Sequence, residues 1–415
     1  ARQQQDKKRY RNKEERRQKA FSVEKMDIMS KLKVDIDDET TEYFEATGNE
    51  YIGPMFKIMF PMVVDVYAKV LELSDDEEGI KNTLTAVKDC FEIACSLGLD
   101  QERDRSMEIL SDNTLVNEVE WLDVKNKQIE MIRVMLELAQ NFGNHMGSAW
   151  KYILTIVSSL AQVHLYGLEP LARKHLEDDE ESGRVSRNGE YVLVEKAREK
   201  QQLIESIIDL RSLDRIFAKT ANLDSKMIVE FVKALCDVSL TELKAGLNDQ
   251  PEETSPADES EDDKRPRLYL MQKVVEVADG NMYCRSRLEW TQIWQVMSEY
   301  YISLGCFPMG QVALSAIDAL KQLSVKFLDK EDLRAYNFQK SFIRPFEYII
   351  SRTPSADTRE MILHVVHNIV QTRSKQLSSG WKIVFSVCTF CAENEADPLT
   401  SIAWSMAKEL YDRYF

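Results

Sequence analysis

Residues 286–350 read SRLEWTQIWQVMSEYYISLGCFPMGQVALSAIDALKQLSVKFLDKEDLRAYNFQKSFIRPFEYII and contain three helical patterns with almost no loop between them. In the first pattern apolar residues recur at steps of four and three, which places them on one side of a helix. These residues are Trp290, Trp294, Met297, Tyr301 and Leu304, and the stripe is widened by Ile293, Val296 and Tyr300. Such a broad apolar surface must be covered on two sides, as in a stacked helical array.

Two further helices are predicted in the same stretch. After the break at Pro308 and Gly310, a second helix carries one apolar face, formed by Val312, Ala316, Leu320, Leu323 and Phe327. A third helix is predicted to begin near Asp332. It is expected to stop at Pro345, because the proline ring cannot continue the hydrogen-bond ladder but suits the first turn of a new helix.

The composition also favours a helical array. The chain has 415 residues, of which only 14 are glycine and 10 are proline, while 30% are charged. This combination predicts an all-α fold, a solenoid of HEAT or armadillo type, rather than one globule. The formal net charge of −16 argues against a nucleic-acid partner, because phosphates would be repelled by most of the surface.

Three similar segments support a helical repeat. GSAWKYILTIVSSL around Trp150, RSRLEWTQIWQVMS around Trp290 and SSGWKIVFSVCTFC around Trp381 each place tryptophan near a helix start, after an apolar helix and a short polar turn. The tryptophans are 140 and 91 residues apart, close to three and two repeats of about 45–47 residues, the period of HEAT and armadillo helix pairs.

The expected organisation has four parts. Residues 1–50 form a basic linker and a short helix, residues 51–246 the first half of the repeats, residues 247–266 a disordered acidic linker and residues 267–415 the second half. Within the first half, helices are predicted at 51–73, 79–98, 122–143, 148–167, 190–219 and 225–246, with an acidic surface loop at 177–189. Ser260 precedes Glu-Asp-Asp, a context that acidophilic kinases favour, and is therefore a candidate phosphorylation site. The alternative is that the acidic linker only keeps this segment solvated.

The amino end differs in charge from the rest. Residues 2–19 contain nine basic and three acidic residues, a local balance of +6. Six of these cations are candidates for contact with an anionic membrane: Lys8, Arg9, Arg11, Arg16, Arg17 and Lys19. The simpler interpretation is that this segment is a solvated extension of a helix. Since the chain begins without an initiator Met, we expect it to belong to a longer protein.

Membrane association is expected to be peripheral. The longest uncharged run, residues 152–168, spans about 25 Å as a helix against roughly 30 Å of hydrocarbon, and therefore predicts a core helix. Seven cysteines without framework spacing indicate reduced thiols in a cytosolic protein.

No enzyme motif is found. GxxxxGK[ST], GxGxxG, GxSxG and HExxH are all absent, so no catalytic or cofactor-binding residue is predicted. Cys388 and Cys391 form a CxxC that we assign to core packing. Glu360, His364 and His367 have a spacing that suits a metal, but without a further ligand we interpret them as helix-surface residues and predict no metal site.

Basic and aromatic residues alternate in the opening stretch. Lys321, Lys326, Lys340 and Arg344 are candidate contacts for a partner protein. The aromatic residues are expected to pack inward and to form a scaffold. The scaffold signature comprises Trp290, Trp294, Phe327, Phe342, Pro345, Phe346 and Trp381.

Several motifs carry a family resemblance. They are Trp290-Thr-Gln-Ile-Trp294, Asp318-Ala-Leu-Lys-Gln-Leu-Ser324 with Lys326-Phe-Leu328, Tyr336-Asn-Phe-Gln339 and Phe342-Ile-Arg-Pro-Phe-Glu347, with Gly53-Pro-Met-Phe-Lys57 and Gly147-Ser-Ala-Trp150 upstream and Ser379-Gly-Trp-Lys382 downstream. In these motifs the chain resembles the brefeldin-A-inhibited guanine-nucleotide exchange proteins, large Arf exchange factors of the trans-Golgi. The resemblance covers nearly everything from Tyr51 onward and implies the region that follows the catalytic exchange domain.

The resemblance also implies partners. The family's exchange domain carries its catalytic glutamate in a Phe-Arg-Leu-Pro-Gly-Glu loop, which this sequence lacks, so Glu347 is not assigned as catalytic and the chain is not expected to be an enzyme. The implied partners are an Arf-family GTPase in its GTP form, the chain's own exchange domain and the anionic Golgi membrane, with recruitment from the cytoplasm to the trans-Golgi network. The alternative is a solenoid that forms a homodimer or scaffold without binding Arf.

Overall fold

The computed structural model describes residues 48–114, 121, 123–168, 187–208, 211–248, 267–330, 338–392 and 399–414. The chain divides into two compact units, Ala1–Met55 and Phe56–Phe415. Of the first unit, residues 48–55 are described. The candidate membrane-contact cations of residues 8–19 and the candidate phosphorylation site Ser260 lie outside the described residues.

The described residues form fifteen α-helices and no strand. The helices are α1 (Ile52–Leu73), α2 (Glu77–Leu97), α3 (Asp100–Asp112), α4 (Asn126–Asn141), α5 (Trp150–Tyr166), α6 (Arg187–Ile207), α7 (Arg211–Ala218), α8 (Ser225–Asn248), α9 (Tyr269–Met282), α10 (Arg287–Gly305), α11 (Gly310–Asp329), α12 (Phe338–Arg352), α13 (Ala356–Arg373), α14 (Trp381–Ala392) and α15 (Leu399–Tyr414). No helix among the described residues is long and apolar enough to cross a bilayer.

Helices of the second unit alternate between two layers. The first layer contains α2, α4, α7, α9, α11, α13 and α15, and the second contains α3, α5, α8, α10, α12 and α14. Each helix packs against the previous member of its own layer and against its partner in the other layer. This arrangement is a helical-repeat solenoid, because successive helix pairs bury each other's apolar faces. The predicted all-α repeat fold is therefore confirmed.

The three tryptophan-bearing segments form α5, α10 and α14, all in the second layer. Trp150 and Trp381 are the first residues of their helices, and Trp290 is in the first turn of α10. The apolar helices that precede them are α4, α9 and α13, all in the first layer. The sequence similarity therefore marks corresponding positions in the stack. The expected three repeats between Trp150 and Trp290 were wrong, because among the described residues the second layer advances only from α5 through α8 to α10 over this interval.

Local signals set several helix ends. The Asp76 carboxylate accepts a hydrogen bond from the Gly79 amide at 2.8 Å and caps α2, while Ser286 and Glu289 form a capping box on α10. Gly98 and Gly167 end α2 and α5 with φ of 66° and 74°, a region that favours glycine. The helix α4 stops at Asn141, before the predicted Gly143, which opens a 3-10 turn instead.

Two boundaries and one helix differ from the sequence prediction. Residues 187–189, expected at the end of an acidic loop, already belong to α6, and the continuous helical span expected to end at Lys219 is divided into α6 and α7. The helix α3 was not predicted, because its sequence is mostly charged. Its inward face includes Arg103, which donates to Asp104 at 2.7 Å and to the His145 carbonyl oxygen at 3.1 Å. These bonds satisfy a buried guanidinium that a hydrophobic pattern cannot detect.

The expected stop at Pro345 was wrong. Helix α12 runs through Pro345 to Arg352. A proline inside a helix leaves the carbonyl four residues earlier without its usual donor, here the carbonyl of Ser341. The indole N–H of Trp294, on α10, donates to the Ser341 oxygen at 3.2 Å. A neighbouring helix therefore supplies the hydrogen bond that proline removes, and the helix continues.

Candidate interaction surface

Buried aromatic residues of α10, α11 and α12 form the core at the junction of these helices. The Phe342 ring stacks between Trp294 and Phe327, with centroid distances of 3.8 and 3.6 Å. Phe342 and Phe346 are fully buried, and Trp381 is half-buried against Phe385 and Tyr414. These rings hold helices together, so contact with a partner must come from other side chains.

The four candidate contact cations lie in two layers. Lys321 and Lys326 are on α11 of the first layer, and Lys340 and Arg344 are on α12 of the second. Lys326 forms an ion pair with Asp279 at 2.7 Å. The Arg344 guanidinium lies over the Tyr348 ring, 4.9 Å from its centroid. These cations therefore lie on two different helices, and their contacts differ: Lys326 forms an ion pair, whereas Arg344 stacks on an aromatic ring.

Lys321 lies in a groove between α11 and α13. The groove has a volume of about 640 Å³, with lining residues that include Leu314, Lys321, Glu360, Met361, His364 and Gln371. His364 and His367 also line a groove of about 340 Å³ between α13 and α15. The first-layer surface is therefore indented on both sides of α13, with apolar and charged groups together.

The histidines of α13 pair with carboxylates from two helices. His364 Nε2 lies 3.6 Å from Glu360 on the same helix, and His367 Nε2 lies 3.2 Å from Glu409 on α15. In the described part of the chain, no group of three or more histidine, cysteine or acidic residues is arranged to hold a metal ion. Cys388 and Cys391 are buried in α14, where they pack in the core.

A half-buried carboxylate that sequence reasoning missed lies where α5, α8 and α10 meet. The Ser158 hydroxyl of α5 donates to Glu242 of α8 at 2.9 Å. Nearby, the hydroxyls of Ser239 and Tyr300 share a hydrogen bond of 2.8 Å. Burial raises the pKa of Glu242 to about 7, opposed by the Ser158 hydrogen bond and the positive charge of Arg267. No sequence signal distinguishes Glu242 from the exposed acids around it.

We expect this carboxyl to make folding pH-dependent. Because the folded-state pKa of Glu242 exceeds its unfolded value near 4.5, the folded protein binds the extra proton between these values. The contribution of Glu242 to the free energy of unfolding therefore falls as the pH rises from about 4.5 through about 7, and it is constant at higher pH. Glu242→Gln should flatten this slope in urea unfolding measured from pH 5 to 8. If the pH dependence of unfolding were unchanged in Glu242→Gln, Glu242 would not be its source. The control is Glu299→Gln at an exposed site, which should leave the pH dependence unchanged.

Comparison with known proteins shows the family to which the chain belongs. The family model described as Mon2/Sec7/BIG1-like, HDS matches residues 326–409, from the end of α11 into α15. The ADP-ribosylation factor guanine nucleotide-exchange factor sec72 of Schizosaccharomyces pombe is 30% identical over 397 residues, 91% of this chain and 21% of its own length. The human brefeldin A-inhibited guanine nucleotide-exchange protein 1 is 30% identical over 381 residues, 87% of this chain and 20% of its own.

The chain belongs to this exchange-protein family. The brefeldin A-inhibited guanine nucleotide-exchange protein 2 of Arabidopsis thaliana is 28% identical over 412 residues, 90% of this chain and 22% of its own length. The chain thus spans about one fifth of the length of these BIG-type relatives. Among solved structures, that of an engineered protein aligns at 14% identity with a TM-score of 0.19, over 85% of this chain and 95% of that one. So low a score carries no argument about the fold.

Proposed function

We propose that this BIG-type chain is a non-catalytic regulatory region of a large Arf exchange factor. It would control recruitment to trans-Golgi membranes and the autoinhibition of an exchange domain. The observation that carries the proposal is 30% identity to sec72 over 91% of this chain, since that relative is named as an Arf exchange factor. The absence of a Phe-Arg-Leu-Pro-Gly-Glu loop from this sequence supports a regulatory rather than a catalytic role.

The two-layer stack supports a role in binding. Its aromatic core keeps α10, α11 and α12 in a fixed arrangement, because Phe342 contacts rings of the other two helices. Solenoid surfaces of this kind present long faces on which a folded partner can dock. We propose GTP-bound Arf as that partner, with Lys321 in the α11–α13 groove as a contact.

Regulation would follow from a docking equilibrium. If the solenoid binds the exchange domain in one state and membrane-bound Arf in the other, GTP-loaded Arf shifts the population toward the active state. The basic residues 8–19 would add a peripheral contact to the anionic membrane. Each ligand shifts the equilibrium only by its difference in affinity for the two states.

A binding measurement tests the proposal. We expect the 415-residue chain to bind vesicle-attached Arf loaded with a GTP analogue at least about tenfold more tightly than GDP-loaded Arf. Lys321→Glu should weaken binding to the GTP form, whereas Lys81→Glu, an exposed cation on α2, should not. Equal affinity for both nucleotide states would overturn the proposal. If light scattering then showed a dimer, the scaffold alternative would be favoured.

A further inference from the structure

Helix α12 carries three aligned residues that no catalytic or scaffold role explains. Arg344, Tyr348 and Arg352 are spaced by four residues, so their side chains lie along one face of the helix. Their guanidinium carbons lie 4.9 and 5.2 Å from the Tyr348 ring centroid, one on each side in sequence. Both arginines are exposed and the tyrosine is half-buried. Cation–π attraction to one ring therefore orders two guanidinium groups at the surface.

The two arginines have no carboxylate partner among the described residues. This contrasts with surface cations such as Lys326, Arg373 and Arg413, which form ion pairs with Asp279, Asp329 and Glu409. The single acidic residue of α12, Glu347, accepts instead from the Ser386 hydroxyl of α14 at 2.5 Å. In a chain of net charge −16, two ordered and unpaired arginines leave a local positive stripe.

A stacked guanidinium keeps its N–H edge available, and this planar edge matches a carboxylate in a two-bond geometry. Arg344 and Arg352 are eight residues apart, about 12 Å along the helix axis. Eight residues of a second helix rise by the same distance, a little over two turns, so carboxylates at positions i and i+8 of a partner helix would meet both arginines. The ring between them offers an apolar contact for the side chain at i+4.

We propose that the Arg344–Tyr348–Arg352 stripe is a docking surface for an acidic helical segment of a partner protein. The proposal does not depend on Arf binding. A peptide is favoured over an anionic bilayer because of the charge of the whole chain. At this stripe, a planar anionic surface would also face acidic groups of the surrounding chain, whose net charge is −16, whereas a short segment interacts mainly with the local stripe.

Two alanine-rich 20-residue peptides test the proposal. One carries glutamate at positions i and i+8 with leucine at i+4, and the other carries glutamine in place of both glutamates. Fluorescence anisotropy at low salt should show that the 415-residue chain binds the glutamate peptide at least tenfold more tightly. Arg344→Glu/Arg352→Glu should weaken this binding at least tenfold. The control Lys81→Glu/Lys226→Glu changes net charge equally at exposed sites elsewhere and should alter affinity less than twofold.

A second variant separates geometry from charge. Arg344→Lys/Arg352→Lys keeps both positive charges but removes the planar edge, so we expect the affinity for the glutamate peptide to fall at least threefold. Because this variant keeps the charge of α12, it also serves as the test if charge reversal impairs folding. Equal affinity for the two peptides, or equal losses in the stripe and control variants, would overturn the proposal. So would stripe-dependent binding to phosphatidylserine vesicles without binding to the glutamate peptide, since the stripe would then be a membrane contact.

Discussion

Phe342→Ala should lower the free energy of unfolding by about 3–5 kcal/mol, the usual cost of removing a large aromatic side chain from a core. The Phe342 ring is fully buried and stacks on Trp294 of α10 and Phe327 of α11, so its removal opens a cavity at the meeting point of three helices. Neighbouring rings fill such a cavity poorly, because each is held in place by its own helix.

Urea unfolding followed by circular dichroism measures this change. We expect the midpoint to fall while the slope stays constant, because the surface exposed on unfolding changes little. Phe390→Ala is the matched control, since Phe390 of α14 is 38% exposed and its removal leaves no enclosed cavity. Midpoints that fall equally for both variants would show that Phe342 has no special place in the stack.

Gly305→Ala should lower the free energy of unfolding by about 2–3 kcal/mol, in the upper part of the range for overpacked cores. Gly305 is the last residue of α10 and packs against Ile349 of α12. A Cβ atom at Gly305 would lie 2.5, 2.8 and 2.9 Å from three side-chain atoms of Ile349. Because these atoms include both branches of the isoleucine, rotating one methyl group does not relieve the clash, and the two helices must separate.

Gly280→Ala is the control for this substitution. Gly280 is inside α9, and a Cβ atom there meets nothing within 4 Å. Alanine should therefore stabilise the protein by about 0.5–1 kcal/mol through its higher helix propensity. Ile349→Ala should cost less in the Gly305→Ala background than alone, because it also removes the clash. Additive effects would show that the two residues are not in close contact.

The helices and their buried faces could largely be predicted from the sequence. Of the thirteen residues assigned to the apolar stripes of α10 and α11, all are buried except Val296, which is half-buried. Periodicity predicts such faces well, because a strongly amphipathic helix can bury its apolar side in one direction only. Helix α3 was missed because its inward face includes a charged residue, Arg103, which is buried through hydrogen bonds to Asp104 of the same helix and to the His145 carbonyl oxygen.

The candidate site was predictable in part. Arg344 was identified as a contact candidate, and its alignment with Tyr348 and Arg352 was present in the sequence as spacings of four. What the sequence did not show is that both guanidinium groups lie over the Tyr348 ring and that Glu347 accepts a hydrogen bond from Ser386. Rotamers and ion pairs depend on neighbouring helices, so spacing alone could not separate this stripe from the paired Lys326.

The sequence by itself determined a helical-repeat solenoid and membership of the exchange-protein family, because hydrophobic periodicity and motif identity are local properties of the chain. The tertiary structure alone decided that α12 continues through Pro345, that Gly305 accommodates Ile349 and that Glu242 is half-buried between helices. Each depends on contacts between distant residues, such as Trp294 with Ser341 and Ser158 with Glu242. Only the packed structure shows which side chain donates the missing hydrogen bond, which occupies the space beside a glycine and which contacts a half-buried carboxylate.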